Sequence, residues 1–509
     1  MVFGISVAVI ILFVLWGAIS PEGLSEQASQ FFAFTTGRFG WLYLFAAFGF
    51  LIFVVYLAFS KYGNIRLGDD DDEPEFSDLT WFAMLFSAGM GIGLVFWGVA
   101  EPLSHYVTPP QGAASESAEA AQLAMRYAFF HWGLHPWAVY SVVGVTLAYF
   151  QYRKKRTALI SQTFYPLLGD KVNGPLGKAI DILSIIATAF GVATSLGLGT
   201  LQINGGLQFL WGVPNQTGIQ LTILALLTIL YMISTLSGLD RGIKILSNAN
   251  LLFALGLLLC TFVLGPTTFV LDTFTLSLGG YLQNLIQMSL RLTPFTQGTW
   301  VSNWTLFYWA WWISWAPFVG MFIARVSRGR TIKEFVLGVL FIPSLFSLIW
   351  FSVFGGTGLH QQMLEGVNLA AAVSKDVTSA LFVSLEHLQF GRLLAFIATA
   401  LIVCFFVTSA DSATFVLGMF STGGNLTPSA KIKLTWGLVQ SAIAIVLLLS
   451  QGLQALQTAS IVTALPFAII MAFMCRSLLR SLKEEARARR KKEKQFRSAL
   501  EALIHEEQP

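Results

Sequence analysis

The chain is written in long apolar runs joined by short polar connections. Twelve of the runs are long enough to cross a bilayer, which takes roughly 20 apolar residues as a helix. They cover about 3–20, 40–60, 79–104, 122–150, 176–205, 217–237, 243–268, 302–325, 332–356, 390–418, 430–451 and 453–475. The first run lacks a basic leading segment and an A-x-A cleavage pattern, so it reads as a retained span. Three further segments are not spans. Asp69 to Glu75 is an acidic loop that reads as a solvated linker. Leu271 to Leu292 is weakly amphipathic and is expected at the outer interface. Arg476 to Glu507 reads as a helix outside the bilayer, with Arg487, Arg489, Arg490, Lys491, Lys492 and Lys494 in one stretch. Such a stretch either anchors the chain or senses anionic lipid or the neighbouring loops. The expected fold is an all-α polytopic membrane protein.

Loop charge orients it. Every second connection is basic: Lys61 and Arg66; Arg153 to Arg156; Arg241 and Lys244; Arg325, Arg328, Arg330 and Lys333; Lys431 and Lys433; then the tail. The alternate connections carry little positive charge beyond Arg291 and Lys375. The positive-inside rule then puts both termini in the cytoplasm of a bacterial inner membrane.

Composition agrees. Of 509 residues, 55% are hydrophobic and 11% charged, against about 25% charged in soluble chains. Mean hydropathy is +0.68. The net charge of +4 sits in loops and tail and gives no reason to expect a nucleic-acid partner. Cys260, Cys404 and Cys475 lie in or beside apolar runs without metal-ligand spacing and read as small hydrophobes.

Four segments carry chemistry. Gly89, Gly91 and Gly93 alternate in the middle of the third run. Each lowers helix propensity by roughly 1 kcal/mol relative to alanine, so the three predict an unwound stretch. Unwound backbone at membrane depth is tolerated where it lines a cavity, and broken helices are where secondary transporters bind substrate. Close helix packing through small residues is the competing reading.

The eighth run holds Trp304, Phe307, Tyr308, Trp309, Trp311, Trp312, Trp315, Phe318 and Phe322, with no charge between Asn303 and Ala324. Tyr308, Trp311, Trp312 and Trp315 share a helix face by their spacing. Ring faces hold a quaternary ammonium by cation–π attraction. The fourth run adds Trp132, Trp137 and Tyr140, with Pro136 loosening the helix. Neither run has an Asp or Glu at mid-depth, which suits a cation with no N–H to donate. A zwitterion brings its own counter-charge, which freed N–H groups near Gly89 to Gly93 would receive.

The tenth run reads Phe405-Phe-Val-Thr-Ser-Ala-Asp-Ser412. Thr408 and Ser409 either bond their own backbone or ligate a hard monovalent cation. Asp411 is an intramembrane carboxylate, functional by default; it lies toward the basic end and is assigned to gating. His131 and His135 read as packed, hydrogen-bonded side chains, because neither has an acidic or thiol partner at catalytic spacing in the sequence.

These segments together resemble the betaine/carnitine/choline transporter family, most closely its sodium-coupled glycine betaine carriers. The resemblance spans the chain. It is carried by Gly89 to Gly98 with Glu101-Pro102, by Phe130 to Tyr140, by Tyr308 to Phe318 with Arg325 to Arg330, and by Phe405 to Asp411. It implies a LeuT-like fold of two inverted five-helix repeats behind two extra helices. The corresponding divisions are 1–78 for the extra helices and acidic loop, 79–268 for the first repeat and 269–301 for the interfacial helix, then 302–475 for the second repeat and 476–509 for the basic tail.

The resemblance also implies that Trp132, Trp137, Tyr140 and Trp312 surround the trimethylammonium, with Trp311 and Trp315 beside it. Met90, Gly91 and Gly93 would complete the substrate site. Sodium would be held by carbonyls of Ser87, Met90 and Phe405 and hydroxyls of Thr408 and Ser409. A second sodium site would use Thr188 and Phe318, but Val192 stands where its second hydroxyl is needed. Phe322 and Asp411 would act in gating. Family members are often homotrimers, and some sense osmotic stress through the tail. Proton-coupled choline carriers have an acidic residue where this chain has Gly93, which favours betaine and sodium here. The expected activity is sodium-coupled uptake of glycine betaine or a related solute. The alternatives are a sodium-independent exchanger, a proton-coupled choline or carnitine carrier, a membrane enzyme and a channel.

Overall fold

The computed structural model describes the backbone of residues 1–89, 91–237 and 240–506; side chains at 86–89, 111, 237, 240–245, 492, 493, 497 and 499–506 lie outside the description. Among the described residues the chain is helical, with one isolated antiparallel bridge, Arg66 to Thr331.

Helix α1 (Val2–Ile19) turns at Ser20 into α2 (Pro21–Phe59). Proline at the first helical position suits that start, since its missing N–H would be unpaired there anyway. The sequence pattern places the second span at 40–60; the helix begins with one residue, Ser20, separating it from α1, and is far longer. Both helices show apolar side chains outward, among them Leu12, Trp16, Phe34, Trp41 and Phe45. That is the arrangement for contact with lipid, whose tails need no polar surface.

Next come α3 (Asp78–Gly89), α4 (Ile92–Val107), α5 (Ala118–Trp132) and α6 (Leu134–Ala148). They are the third and fourth expected spans, each cut in two. The α3–α4 break is the predicted one: Gly91 is fully extended, at φ −160° and ψ 177°. The α5–α6 break corrects the expectation of a continuous helix over 122–150. Its cause is local. Pro136 has no N–H to offer the carbonyl of Trp132, and its ring crowds that carbonyl, so the helix ends there. Gly133 follows at the break, where a Cβ would lie 2.5 Å from the Phe129 carbonyl oxygen and 2.9 Å from the Tyr281 hydroxyl.

The chain continues through short α7 (Tyr165–Leu168) to α8 (Pro175–Trp211), α9 (Thr217–Ser237), α10 (Asp240–Leu264) and α11 (Thr267–Ser289). The expected interfacial segment is α11. It packs on α5, and its Tyr281 hydroxyl accepts from the Leu134 N–H at 3.1 Å, capping the break. Then follow α12 (Phe307–Val326), α13 (Ile332–Leu364), two short helices α14 (Leu369–Lys375) and α15 (Ala380–Glu386), α16 (Gly391–Ser421), α17 (Ala430–Gln451) and α18 (Leu453–Glu506). Ten helices of the described chain are long and apolar enough to cross a membrane. The two broken pairs escape that count because neither half is long enough alone.

Helix α12 packs along α6 and also touches α8 and α18, while α13 packs on α4, α5 and α6. The aromatic run therefore lies at the centre of the molecule, where Tyr308, Trp309, Trp311 and Trp312 are buried.

The acidic loop is not a free linker, contrary to the sequence reading. Asp70 pairs with Arg153 at 2.9 Å, Asp69 with Lys155 at 2.8 Å and Asp72 with Arg328 at 3.7 Å. The Arg153 hydrogen bond and charge hold the Asp70 carboxyl below its ordinary range. Loop residues 65–67 also bond to the α12–α13 connection, Leu67 N–H to the Arg330 carbonyl at 2.8 Å and Ile332 N–H to the Ile65 carbonyl at 2.9 Å.

Candidate functional site: an aromatic cavity beside two helix breaks

A narrow cavity of about 40 Å³ lies where the two breaks meet α12. Trp132, Trp137 and Tyr140 reach it from α5 and α6, and Trp311, Trp312 and Trp315 from α12. Gly91 and Gly93 supply its floor, with Leu94, Pro136, Ser195 and Ser347 completing the wall. No lining residue is charged. The i, i+1 and i+4 steps along α12 bring three indoles to one side, and the break at Gly133 turns Trp132 and Trp137 toward them.

The rings are fixed by bonds at their polar edges. Trp312 Nε1 donates to the His131 carbonyl at 3.0 Å, Trp311 Nε1 to Ser195 Oγ at 3.2 Å and Trp315 Nε1 to the Gly191 carbonyl at 2.8 Å. Trp311 and Trp312 stack, centroids 4.7 Å apart at 15°. Trp132 stands edge-on to Trp312 at 4.8 Å and 72°, and Tyr140 edge-on at 6.4 Å and 77°. Indole N–H groups satisfied at the rim leave ring faces for the cavity. Gly93 is required by this closeness: a Cβ there would meet Trp311 at 2.5 Å and Trp132 at 3.1 Å.

Behind the rings lies a carboxylate that the sequence reading quoted only as part of a motif. Glu101 of α4 is wholly buried. Its Oε2 accepts from Trp132 Nε1 at 2.7 Å and the Tyr308 hydroxyl at 2.5 Å. Its Oε1 meets His131 Nδ1 at 2.6 Å and His105 Nε2 at 3.2 Å. His131 Nε2 is 3.0 Å from Thr305 Oγ1. His131 and His135 are packed and hydrogen-bonded as expected; His135 meets Ser289 at 2.9 Å and stacks on Trp309. The expectation that His131 lacks an acidic partner is overturned, because the α4–α5 turn brings Glu101 against it from 30 residues away.

The proposed cation ligands lie on α16. Thr408 Oγ1 is 3.0 Å from the Cys404 carbonyl and 3.3 Å from the Phe405 carbonyl. It also accepts from Asn250 Nδ2 of α10 at 3.0 Å. Ser409 is half-buried beside it. Met90 and the Ser87 side chain lie outside the described residues. Thr188 bonds its own helix, donating to the Ser184 carbonyl at 2.7 Å, while Phe318 stands edge-on to Trp315. Asp411 is buried and accepts from Ser234 at 2.8 Å and Thr235 at 2.6 Å, both on α9. Phe322 is half-buried one turn beyond Phe318 on α12.

A second, wider cavity of about 550 Å³ opens on the face away from the basic loops, bordered by Trp97, Ser104, Asn303, Trp304, Gln454 and Gln457 among others. Trp97 packs edge-on against Tyr308 at 6.2 Å.

Interrupted helices around a central aromatic cavity are the arrangement in which secondary transporters hold substrate, and the chain's family and relatives make it a transporter. Residues 1–487 match the family described as BCCT, betaine/carnitine/choline family transporter, and the chain belongs to that family. It is 51% identical over 495 residues to the glycine betaine transporter OpuD of Bacillus subtilis, covering 97% of this chain and 96% of that protein. It is 49% identical to the ectoine/hydroxyectoine transporter of Virgibacillus pantothenticus, covering 97% and 98%. The glycine betaine transporter of Acinetobacter baylyi is 43% identical, covering 95% of this chain and 73% of that protein.

Proposed function

We propose that this transporter carries glycine betaine inward with sodium, by alternating access across a bacterial inner membrane, for protection against osmotic stress. The observation that carries the reading is the ring of Trp132, Trp137, Tyr140, Trp311, Trp312 and Trp315 around one cavity with no charged lining. Such a cavity suits a methylated cation, which offers rings a diffuse charge and no proton. The carboxylate end of a zwitterion would meet the N–H groups freed at Gly91 and Gly93. Ectoine is also a zwitterion, and the relative that transports it makes it the second substrate to test.

For sodium, the oxygen set of Thr408, Ser409 and the Phe405 carbonyl suits a hard cation. Carbonyls of Ser87 and Met90 would close the site from the broken third span. Sodium would then fasten α16 to α3 and α4, stiffening the substrate cavity so that the two ligands bind cooperatively. Helices α3 to α6, α12 and α13 would rock against the remainder. The wide cavity beside Trp97 is the approach in the outward-facing direction. Thr188 and Phe318 would contribute to a second ion only without a paired hydroxyl, since Val192 is apolar. The 5+5 repeat division, a homotrimer and anionic lipid at the basic tail belong to the same reading.

The test is uptake into proteoliposomes, with sodium varied and betaine, ectoine, choline and carnitine as competitors. Trp312→Leu is expected to raise the KM for betaine about tenfold, equivalent to roughly 1.4 kcal/mol, at wild-type levels in the membrane. Unchanged kinetics would remove the aromatic-cage reading.

A further inference from the structure

We infer that Glu101 acts as a fixed counter-charge behind the aromatic cavity, making the site select a cationic head group over a neutral one of the same shape. This rests on the proposed cage and deepens it. Among the described residues the cavity lining is uncharged, so within the lining it is the rings that attract a cation. Two of the rings around it are tied to one buried carboxylate: the Trp132 indole N–H at 2.7 Å and the Tyr308 hydroxyl at 2.5 Å both donate to Glu101 Oε2. Trp132 lines the cavity, and Tyr308 stacks on Trp312, centroids 5.7 Å apart at 24°. A donor that hydrogen-bonds an anion passes electron density to its ring, which strengthens the negative face that a cation meets.

The charge is also not neutralised nearby. No Lys or Arg lies within ion-pair distance of Glu101 among the described residues; its charged-capable neighbours are His105 and His131. His131 Nδ1 meets Glu101 Oε1, and its Nε2 lies 3.0 Å from the Thr305 hydroxyl; a neutral ring with its proton on Nδ1 satisfies both contacts. His105 offers Nε2 to Glu101, while its Nδ1 is buried with no hydrogen-bond partner. A protonated ring would carry an N–H there with nowhere to donate, so His105 is neutral as well. With both rings neutral, one net negative charge stands behind the cage. In this low-dielectric interior it attracts a cation across the ring far more strongly than it would in water.

The pairing also explains how the chain avoids a carboxylate in the cavity. A direct carboxylate would compete with the substrate's own carboxylate and would favour ligands with N–H donors. Set one ring back, the charge acts on the head group without offering it an acceptor.

The probe is a pair of ligands of one shape: glycine betaine and its carbon isostere 3,3-dimethylbutanoate, in which a quaternary carbon replaces the ammonium nitrogen. Both are titrated by intrinsic tryptophan fluorescence on purified full-length protein. Wild type should prefer betaine. Glu101→Gln keeps the shape, and its amide NH2 turned toward the histidines is accommodated when His131 and His105 each move their proton to the ring nitrogen that faces away from it. The expected result is a fall of about tenfold in the betaine-to-isostere preference, with isostere affinity little changed. An unchanged preference overturns the inference, and so does an equal loss of both ligands, which marks a purely structural role. If Glu101→Gln does not reach the membrane, Glu101→Asp decides. It keeps the negative charge while shortening its reach to Trp132 and Tyr308, so the betaine-to-isostere preference should persist even where both affinities fall, and a lost preference overturns the inference. A wild type that shows no preference refutes the aromatic cage itself, an outcome distinct from failure of the Glu101 role alone.

Discussion

Single side chains set the width of the cavity. Trp311 and Trp132 approach the Cα of Gly93 so closely that one methyl group would displace an indole. Gly93→Ala is therefore expected to lower betaine uptake by more than tenfold while the protein remains in the membrane. Uptake assayed beside membrane abundance checks it, and wild-type uptake would mean the rings have room to yield. The aromatic residues were legible from the sequence because their type is out of place: Trp311, Trp312 and Trp315 occupy a face that leucine would fill in lipid or core. Glu101 was not legible in its role. Its partners Trp132, His131 and Tyr308 come from two other helices, up to 207 residues away, and nothing in local spacing announces such a meeting. The orphan Asn250 Oδ1 beside Thr408 is a similar long-range feature that periodicity does not reach.

Helix interruptions carry the design at the next scale. The Gly89–Gly93 break was readable as a cluster of poor helix formers. The Gly133 break is half readable: Pro136 marks a weak point in the run, and the structure shows a full stop one turn earlier. The difference is that proline acts on the residue four before it. The loops were misjudged for another reason. Acidic stretches are usually solvated, but here the basic 153–155 turn folds back onto Asp69 and Asp70. The same turn holds the tail, since Arg153 and Lys154 both pair with Glu485 of α18, which also accepts from Tyr149 at 2.8 Å. Arg153→Ala removes the shared partner, so backbone hydrogen exchange should quicken both near 66–70 and near 480–486. Exchange altered in only one segment would show that the loop and tail are held separately. The Asp70 share of this tie has a pH sign. Its lowered carboxyl makes the contribution present above the ordinary Asp range and lost as pH falls through the lowered value.

At the scale of the molecule, ten helices among the described residues are long and apolar enough to cross a membrane, so the polytopic, all-helical character was the most legible property. Which helices become neighbours was not. Helix α16 lies against α8, α10 and α4, and its Thr408 meets Asn250 of α10. Ser409→Ala is expected to raise the sodium concentration for half-maximal uptake severalfold, with betaine KM at saturating sodium less affected. A sodium curve identical to wild type would exclude Ser409 as a ligand.

Helix α18 runs from Leu453 to Glu506 with Pro466 inside it. At 1.5 Å per residue its 54 residues extend about 80 Å, while a bilayer's apolar core takes up about 30 Å. The rest is a lever arm continuous in helix with the apolar segment. A tilt of a few degrees in that segment swings the distal end by several ångströms, so a pair of spectroscopic labels near its tip and on a basic loop would magnify motions too small to detect at the cavity.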